Sequence, residues 1–174
     1  MNLLNSENKI MGFFRNVFFH YDHRIYWRKR TKVVSKESKV PKIIRYYWLY
    51  QLKKSDSFYN ASMGTAIGGG AEFDSPPILY HGLNGIVVSH FAHIGKNCTI
   101  NQQVTIAGGK EAESVYIGDN VFIGAGAKII GPVKIGSNVK IGANAVVVKN
   151  VPDNCTVVGV PARIVKISKK ESNI

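Results

Sequence analysis

Two cysteines, Cys98 and Cys155, are all that the 174 residues contain, and they stand in neither C-x-x-C nor Cys/His zinc spacing. That excludes the disulfide framework of a small secreted domain and fits a reducing cytoplasm. Long apolar runs are missing too. IMGFFRNVFF at residues 10–19 is interrupted by Arg15 and Asn16 and falls well short of the roughly 20 apolar residues that cross a bilayer. No small-residue cleavage site follows it, so it is not read as a signal peptide. Acids are scarce: 11 Asp and Glu stand against 23 Lys and Arg, a net charge of +12. No recognisable nucleic-acid-binding motif accompanies that charge, which argues against nucleic acid as a partner.

At 45% hydrophobic and 20% charged residues, a chain of this length suits one well-buried domain with an appendage. The basic excess is concentrated: residues 1–60 hold thirteen Lys and Arg against four acids, a charge of +9. Such an arm suits an anionic membrane surface or a phosphorylated ligand, and equally a solvated helical surface. Segments near 8–19, 22–35 and 41–54 show the apolar spacing of short amphipathic helices, as in Ile43, Tyr47 and Tyr50. Their aromatic residues, Trp27 and Trp48 among them, are expected to cover the open end of the domain that follows rather than bind a ligand.

That domain is a repeat. Counting in sixes from Ile94 gives IGKNCT, INQQVT and IAGGKE, then after a slip IGDNVF, IGAGAK, IIGPVK, IGSNVK, IGANAV and VVKNVP. Every hexad opens with Ile or Val, which is expected to point inward. The fifth slot is small or modestly apolar, as at Cys98, Val104, Val121, Ala127 and Val139. The fourth is mostly Asn or Gly (Asn97, Asn120, Gly126, Asn138, Asn144, Asn150), residue types that tolerate positive φ, so each hexad reads as a short strand and a tight corner. Three such sides close a triangular coil, and successive coils stack as parallel strands about 4.8 Å apart. A weaker register upstream starts at Ala61 and runs through Ile67, Phe73 and Leu79. Leu79 to Val88 spans nine residues instead of six, so three are extruded beside His81; AGGKEAESVY carries five extra residues and predicts a projecting loop near 107–116. At the far end VPDNCTVVGVPARIVK closes the repeat, with Pro161 expected to stop further strand pairing.

Three of the five histidines, His81, His90 and His93, fall within thirteen positions at the first extrusion. The stretches HGLNGIVVSHFAHIGKNCTINQQVTIAGG, IGAGAKIIGPVKIG and VVGVPARIV together resemble the hexapeptide-repeat acyltransferases. The nearest likeness is to the serine acetyltransferases and the O-acetyltransferases of polysaccharide gene clusters, over roughly residues 58–167. The resemblance implies a mainly β fold, a left-handed parallel β-helix over 59–167 with a helical segment over 1–58 and a basic tail over 168–174. It also implies a homotrimer with acetyl-CoA bound between subunits and no metal required. The hand comes from the family alone, because the general rule for parallel crossovers predicts the right-handed form.

Acetyl transfer to an alcohol needs a base to take the hydroxyl proton as the oxygen attacks the thioester. An imidazole, with an ordinary pKa near 6.5, is suited to that task. In the family the base lies just before the G-I-V-V element, and His81 matches it with one residue more before Gly85. His90, Tyr80 and Asn84 are the expected acceptor contacts, and His93 is expected at a corner. The resemblance carries CoA contacts onto Gly108, Ala125 and Ala143, the last two eighteen residues apart, with Lys149, Arg163 and Lys166 available to the phosphates. Zinc held as in the gamma-class carbonic anhydrases is disfavoured, because that family's ligand pair is separated by four residues whereas two separate His90 from His93.

Serine acetyltransferases place an acid immediately before the base, where this chain has Tyr80, and a histidine in the projecting loop, where it has Ser114. Both departures move the expected acceptor towards a capsule or lipopolysaccharide sugar, with L-serine as the alternative and a non-catalytic scaffold behind both. The basic, aromatic HRIYWRKR would then touch the inner membrane face, making the protein cytoplasmic with a possible peripheral contact.

Overall fold

The computed structural model describes residues 21–168; the helix expected near 8–19 and all but Ser168 of the basic tail lie outside the described residues. Two helices come first. α1 (His23–Val34) is capped by Asp22, whose side chain accepts from the Ile25 N–H at 3.0 Å, satisfying one of the donors a helix start leaves free. α2 (Lys42–Phe58) starts directly after Pro41, a residue that needs no N–H there.

From Ser62 onward the chain winds into a parallel β-helix with three faces. The first face stacks strands Ser62–Met63, Val87–Val88, Thr105–Ala107, Lys128–Ile130 and Val146–Val147. The second stacks Glu72–Phe73, His93–Ile94, Tyr116–Ile117 and Lys134–Ile135. The third runs through Thr99–Ile100, Phe122–Ile123, Lys140–Ile141 and Cys155–Val158. Every Ile or Val that opens one of the nine hexads is buried, so columns such as Val88, Ile106, Ile129 and Val147 form one continuous core. Each such side chain removed from water contributes about 1.5–3 kcal/mol.

The corners behave as the hexads imply. Asn97, Asn120, Asn138 and Asn144 sit at φ between 55° and 58°, and Gly126 at 70°. Asn97, Asn120, Asn138 and Asn154 also hydrogen-bond one to the next along the axis at 3.2–3.4 Å. Asn150 is the exception: its Oδ1 accepts from the Lys134 N–H at 2.8 Å instead. Gln103 takes a positive φ of 59° that the residue type does not advertise.

Three features differ from expectation. The first coil opens at Met63, which pairs with Val88, and Ile67 falls in the turn of an antiparallel hairpin, Thr65–Ala66 against Gly69–Gly70. Glycine is required there: Gly70 has φ 131°, and a Cβ on it would collide with the Gly64 carbonyl oxygen. Pro161 does not end strand pairing. After a cis Val160–Pro161 bond, Arg163–Ile167 returns antiparallel along Cys155–Val158. Finally, Ile43, Tyr47 and Tyr50 face outward, and the side of α2 turned to the protein carries Arg45, Trp48, Leu49, Leu52 and Asp56.

The helices close the open end of the first coil. Tyr26, Trp27, Val33 and Leu52 are buried in the same core as the coil residues, and Trp48 packs against it. Tyr26, Trp27 and Arg30 being buried, the aromatic part of HRIYWRKR is unavailable at the surface, which corrects its reading as a membrane contact. Among the described residues no helix is long and apolar enough to cross a membrane.

Asp56 is buried within this cap, accepting from Tyr26 Oη at 2.5 Å and so joining α2 to α1. Burial raises its pKa above the ordinary 3.8, outweighing the Tyr26 bond and the Lys53 charge that pull it down. The native state therefore holds this proton more tightly than the unfolded chain, so the group's contribution to stability falls as pH rises above 3.8. Asp56→Asn cannot ionise. In urea melts at stepped pH, the stability difference between variant and parent is expected to move in the variant's favour from pH 4 to pH 7, and a pH-independent difference would refute it.

Candidate active site

The corner between the third and first faces carries the first extrusion. Ile78 bridges to Thr99 on one side and Val87–Val88 starts the next strand on the other. Leu79, Leu83 and Ile86 are all buried, so three apolar anchors pin the turn while Tyr80, His81 and Asn84 stay exposed. Gly82 (φ 63°) and Gly85 (φ 65°) make the reversals. The Gly85 N–H donates to the Tyr59 carbonyl at 2.9 Å and the Gln103 N–H to the Asn84 carbonyl at 2.9 Å, tying the turn to the cap on one side and the next coil on the other. Among the described residues nothing hydrogen-bonds the His81 imidazole.

Directly along this corner lie Gln103, then Ala125, then Ala143. The Gly126 N–H donates to the Gln102 carbonyl (2.9 Å) and the Asn144 N–H to the Ala125 carbonyl (2.8 Å). Lys128 Nζ clasps two levels, donating to the carbonyls of Gln103 and Gly126 at 2.8 and 3.0 Å. Ala125 is half-buried and Ala143 exposed, so beyond Gln103 this edge carries only methyl groups on two successive coils, the further one on the order of 15 Å along the axis from the level of the His81 turn. Arg163 joins its foot: it pairs with Val158, and the adjacent Ala162 N–H donates to the Val146 carbonyl at 2.8 Å.

The other expected residues lie elsewhere. His90, Gly108 and Lys149 occupy the next corner, between the first and second faces; there the Ser89 hydroxyl donates to the Gly108 carbonyl at 3.4 Å. Gly108 has to be glycine, since a Cβ would come 2.8 Å from the Glu113 carbonyl oxygen across the 107–116 loop, which folds back in a single 3-10 turn at Glu111–Glu113. His90 sets its ring edge-on to Phe91, centroids 4.9 Å apart. Lys166 is exposed on the returning strand opposite Thr156. One protomer therefore unites His81, Asn84, Ala125, Ala143 and Arg163 on one edge and leaves Gly108, His90 and Lys149 on another.

His93 is not at a corner. It is a strand residue of the second face, with Nδ1 3.4 Å from Glu72 Oε2, Nε2 3.4 Å from Asp74 Oδ2, and its ring stacked on Tyr116 at 4.7 Å. The three histidines thus occupy two different corners and a face, and do not converge on one centre. Among the described residues no group of three or more His, Cys, Asp or Glu is placed to share a metal ion.

Residues 114–149 match the family model described as bacterial transferase hexapeptide (six repeats). A serine acetyltransferase of Synechococcus elongatus is 38% identical over 128 residues, covering 68% of this chain and 52% of that protein. The crystal structure of serine acetyltransferase from Brucella abortus superposes with a TM-score of 0.63 at 35% identity, over 73% of this chain and 50% of the other. The same enzyme in complex with coenzyme A gives 0.61 at 34%, over 72% and 49%. The chain spans about half the length of the relatives it matches. With these neighbours the hand of the coil is settled as left. The chain belongs to the hexapeptide-repeat acyltransferases, and its β-helix is of the serine acetyltransferase type.

Proposed function

We propose that this protein transfers an acetyl group from acetyl-CoA to a hydroxyl, L-serine being the first acceptor to test. The observation that carries this reading is the exposed His81, which nothing among the described residues hydrogen-bonds, at the head of the edge on which Ala125 and Ala143 are stacked. His81 takes the acceptor's proton as its oxygen bonds to the thioester carbonyl carbon; the C–S bond then breaks, and the imidazolium returns the proton to the departing thiolate. The small edge lets an extended pantetheine arm lie against the backbone, and Arg163, Lys149 and Lys166 supply charge for phosphates. Gly108, His90 and Lys149 would reach that edge from a neighbouring subunit, which is the role of the proposed homotrimer.

The names of the relatives move L-serine ahead of the saccharide expected from the sequence. A sugar hydroxyl stays as the second reading because of one residue: exposed Tyr80, beside His81, offers a phenol where an acid would meet an ammonium group. Thiol release from acetyl-CoA, followed with L-serine and a panel of free and nucleotide-linked sugars side by side, decides between them. Acceptor-dependent release with L-serine and a mass-detected O-acetyl product are expected; release with sugars alone installs the second reading, and release with no acceptor at all sinks the proposal.

A further inference from the structure

Helix α2 has a buried side and, opposite it, a second stripe of large side chains. Arg45, Trp48, Leu49, Leu52 and Asp56 recur at intervals of three and four on the side packed against α1 and the first coil. Ile43, Tyr46, Tyr47 and Tyr50 recur at the same intervals on the other side, 78%, 60%, 59% and 64% exposed. A helix that packs by one stripe ordinarily leaves the opposite side polar, so four large side chains of this kind gathered on the outer stripe and left in water mark a contact surface.

We propose that this outer stripe seats the chain on an anionic lipid surface. Charge decides the occupant. From residue 23 to residue 54 there are eleven Lys and Arg and one acid, Glu37. Arg30 and Arg45 are buried, but Arg24, Arg28 and Lys32 on α1, Lys36 and Lys39 between the helices, and Lys42, Lys53 and Lys54 on α2 are exposed. A second copy docking stripe to stripe would bring two such fields together and be repelled; a layer of anionic headgroups would be attracted. The side chains suit that partner: a tyrosine ring enters the headgroup boundary while its hydroxyl stays hydrated, and flanking lysines reach the phosphates. The inference uses neither His81 nor acetyl transfer, so each can fail without the other.

The test is vesicle flotation of the full chain with phosphatidylcholine alone and with phosphatidylcholine containing phosphatidylglycerol, at low and high salt. Binding only to the anionic vesicles, weakened by salt, is expected. Tyr46→Ser, Tyr47→Ser and Tyr50→Ser combined should weaken it about tenfold or more. Lys54→Glu should weaken it as well, and thermal melts and transfer to a soluble acceptor should be unchanged in both. No binding to anionic vesicles, equal binding by the stripe variant, or equal binding to neutral vesicles overturns the proposal. So does a stripe variant that changes the particle size in gel filtration, which would make the stripe a contact between copies, or one that abolishes a salt-sensitive shift of single-stranded RNA.

Discussion

Replacing His81 by alanine is expected to lower kcat for acetyl transfer by roughly 10²–10⁴, the range over which a positioned general base acts, while acetyl-CoA binding and the melting temperature stay close to the parent's. The second half follows from geometry. The turn is held by buried Leu79, Leu83 and Ile86 and by backbone hydrogen bonds from Gly85 and to Asn84, none of which uses the imidazole. His81→Asn, which keeps a polar side chain but has no basic nitrogen, should be as inactive as alanine. Titration of CoA by intrinsic fluorescence, read beside thiol release, separates loss of chemistry from loss of binding. Parent-like turnover in either variant removes His81 from the reaction.

Much of this arrangement is legible in the sequence because a stacked coil imposes its period on every level. An Ile or Val that opens a hexad has one place to go, the axis of the prism, and each of the nine is there. Where the period is broken the reading weakens for a physical reason. The hairpin at Thr65–Gly70 inserts residues into the first coil, so counting back in sixes lands on Ala61 and Ile67, whereas the residue stacked under Val88 is Met63. The Glu72 and Asp74 carboxylates lie 21 and 19 residues before His93, and the three residues extruded beside His81 are what lengthen an eighteen-residue coil to that spacing. Periodicity places Ile43, Tyr47 and Tyr50 on one side of a helix but cannot say which side meets the protein when both are apolar. His81 stands out from sequence because an extrusion and a family motif coincide there. The separation of Gly108 from it, across one face of the prism, needs three dimensions.

Arg30→Ala is expected to destabilise the protein by about 3 kcal/mol, with buried acceptors left unpaired as the main cause. In sequence Arg30 is one more cation in a basic stretch; in the structure it is 2% exposed and fastens the helical cap to the coil. Its guanidinium donates to the Met63 carbonyl at 2.9 Å, the Ala71 carbonyl at 2.7 Å and the Thr65 hydroxyl at 3.1 Å, and lies over the rings of Trp27 and Phe73 at 5.2 and 4.6 Å. Burial draws its pKa down to about 10, which still leaves it charged at neutral pH. Taking the side chain away strands the Ala71 carbonyl, leaves the Met63 carbonyl only the Thr65 hydroxyl at 3.4 Å, and removes the cation lying over two rings, worth a further ~0.5–2 kcal/mol. Arg30→Met refills the space without the donors, so the gap between Met and Ala variants measures packing and the gap between parent and Met measures the bonds. Because Trp27 and Trp48 both sit in the cap, their fluorescence reports its undocking, while amide hydrogen exchange in the strands of the later coils reports the coil. In the alanine variant the fluorescence transition in urea should move to lower concentration, ahead of the loss of exchange protection in the coil, and lose the coincidence that marks a single cooperative unit. Coincident transitions at the parent's midpoint would show that the cap is held by its apolar contacts alone.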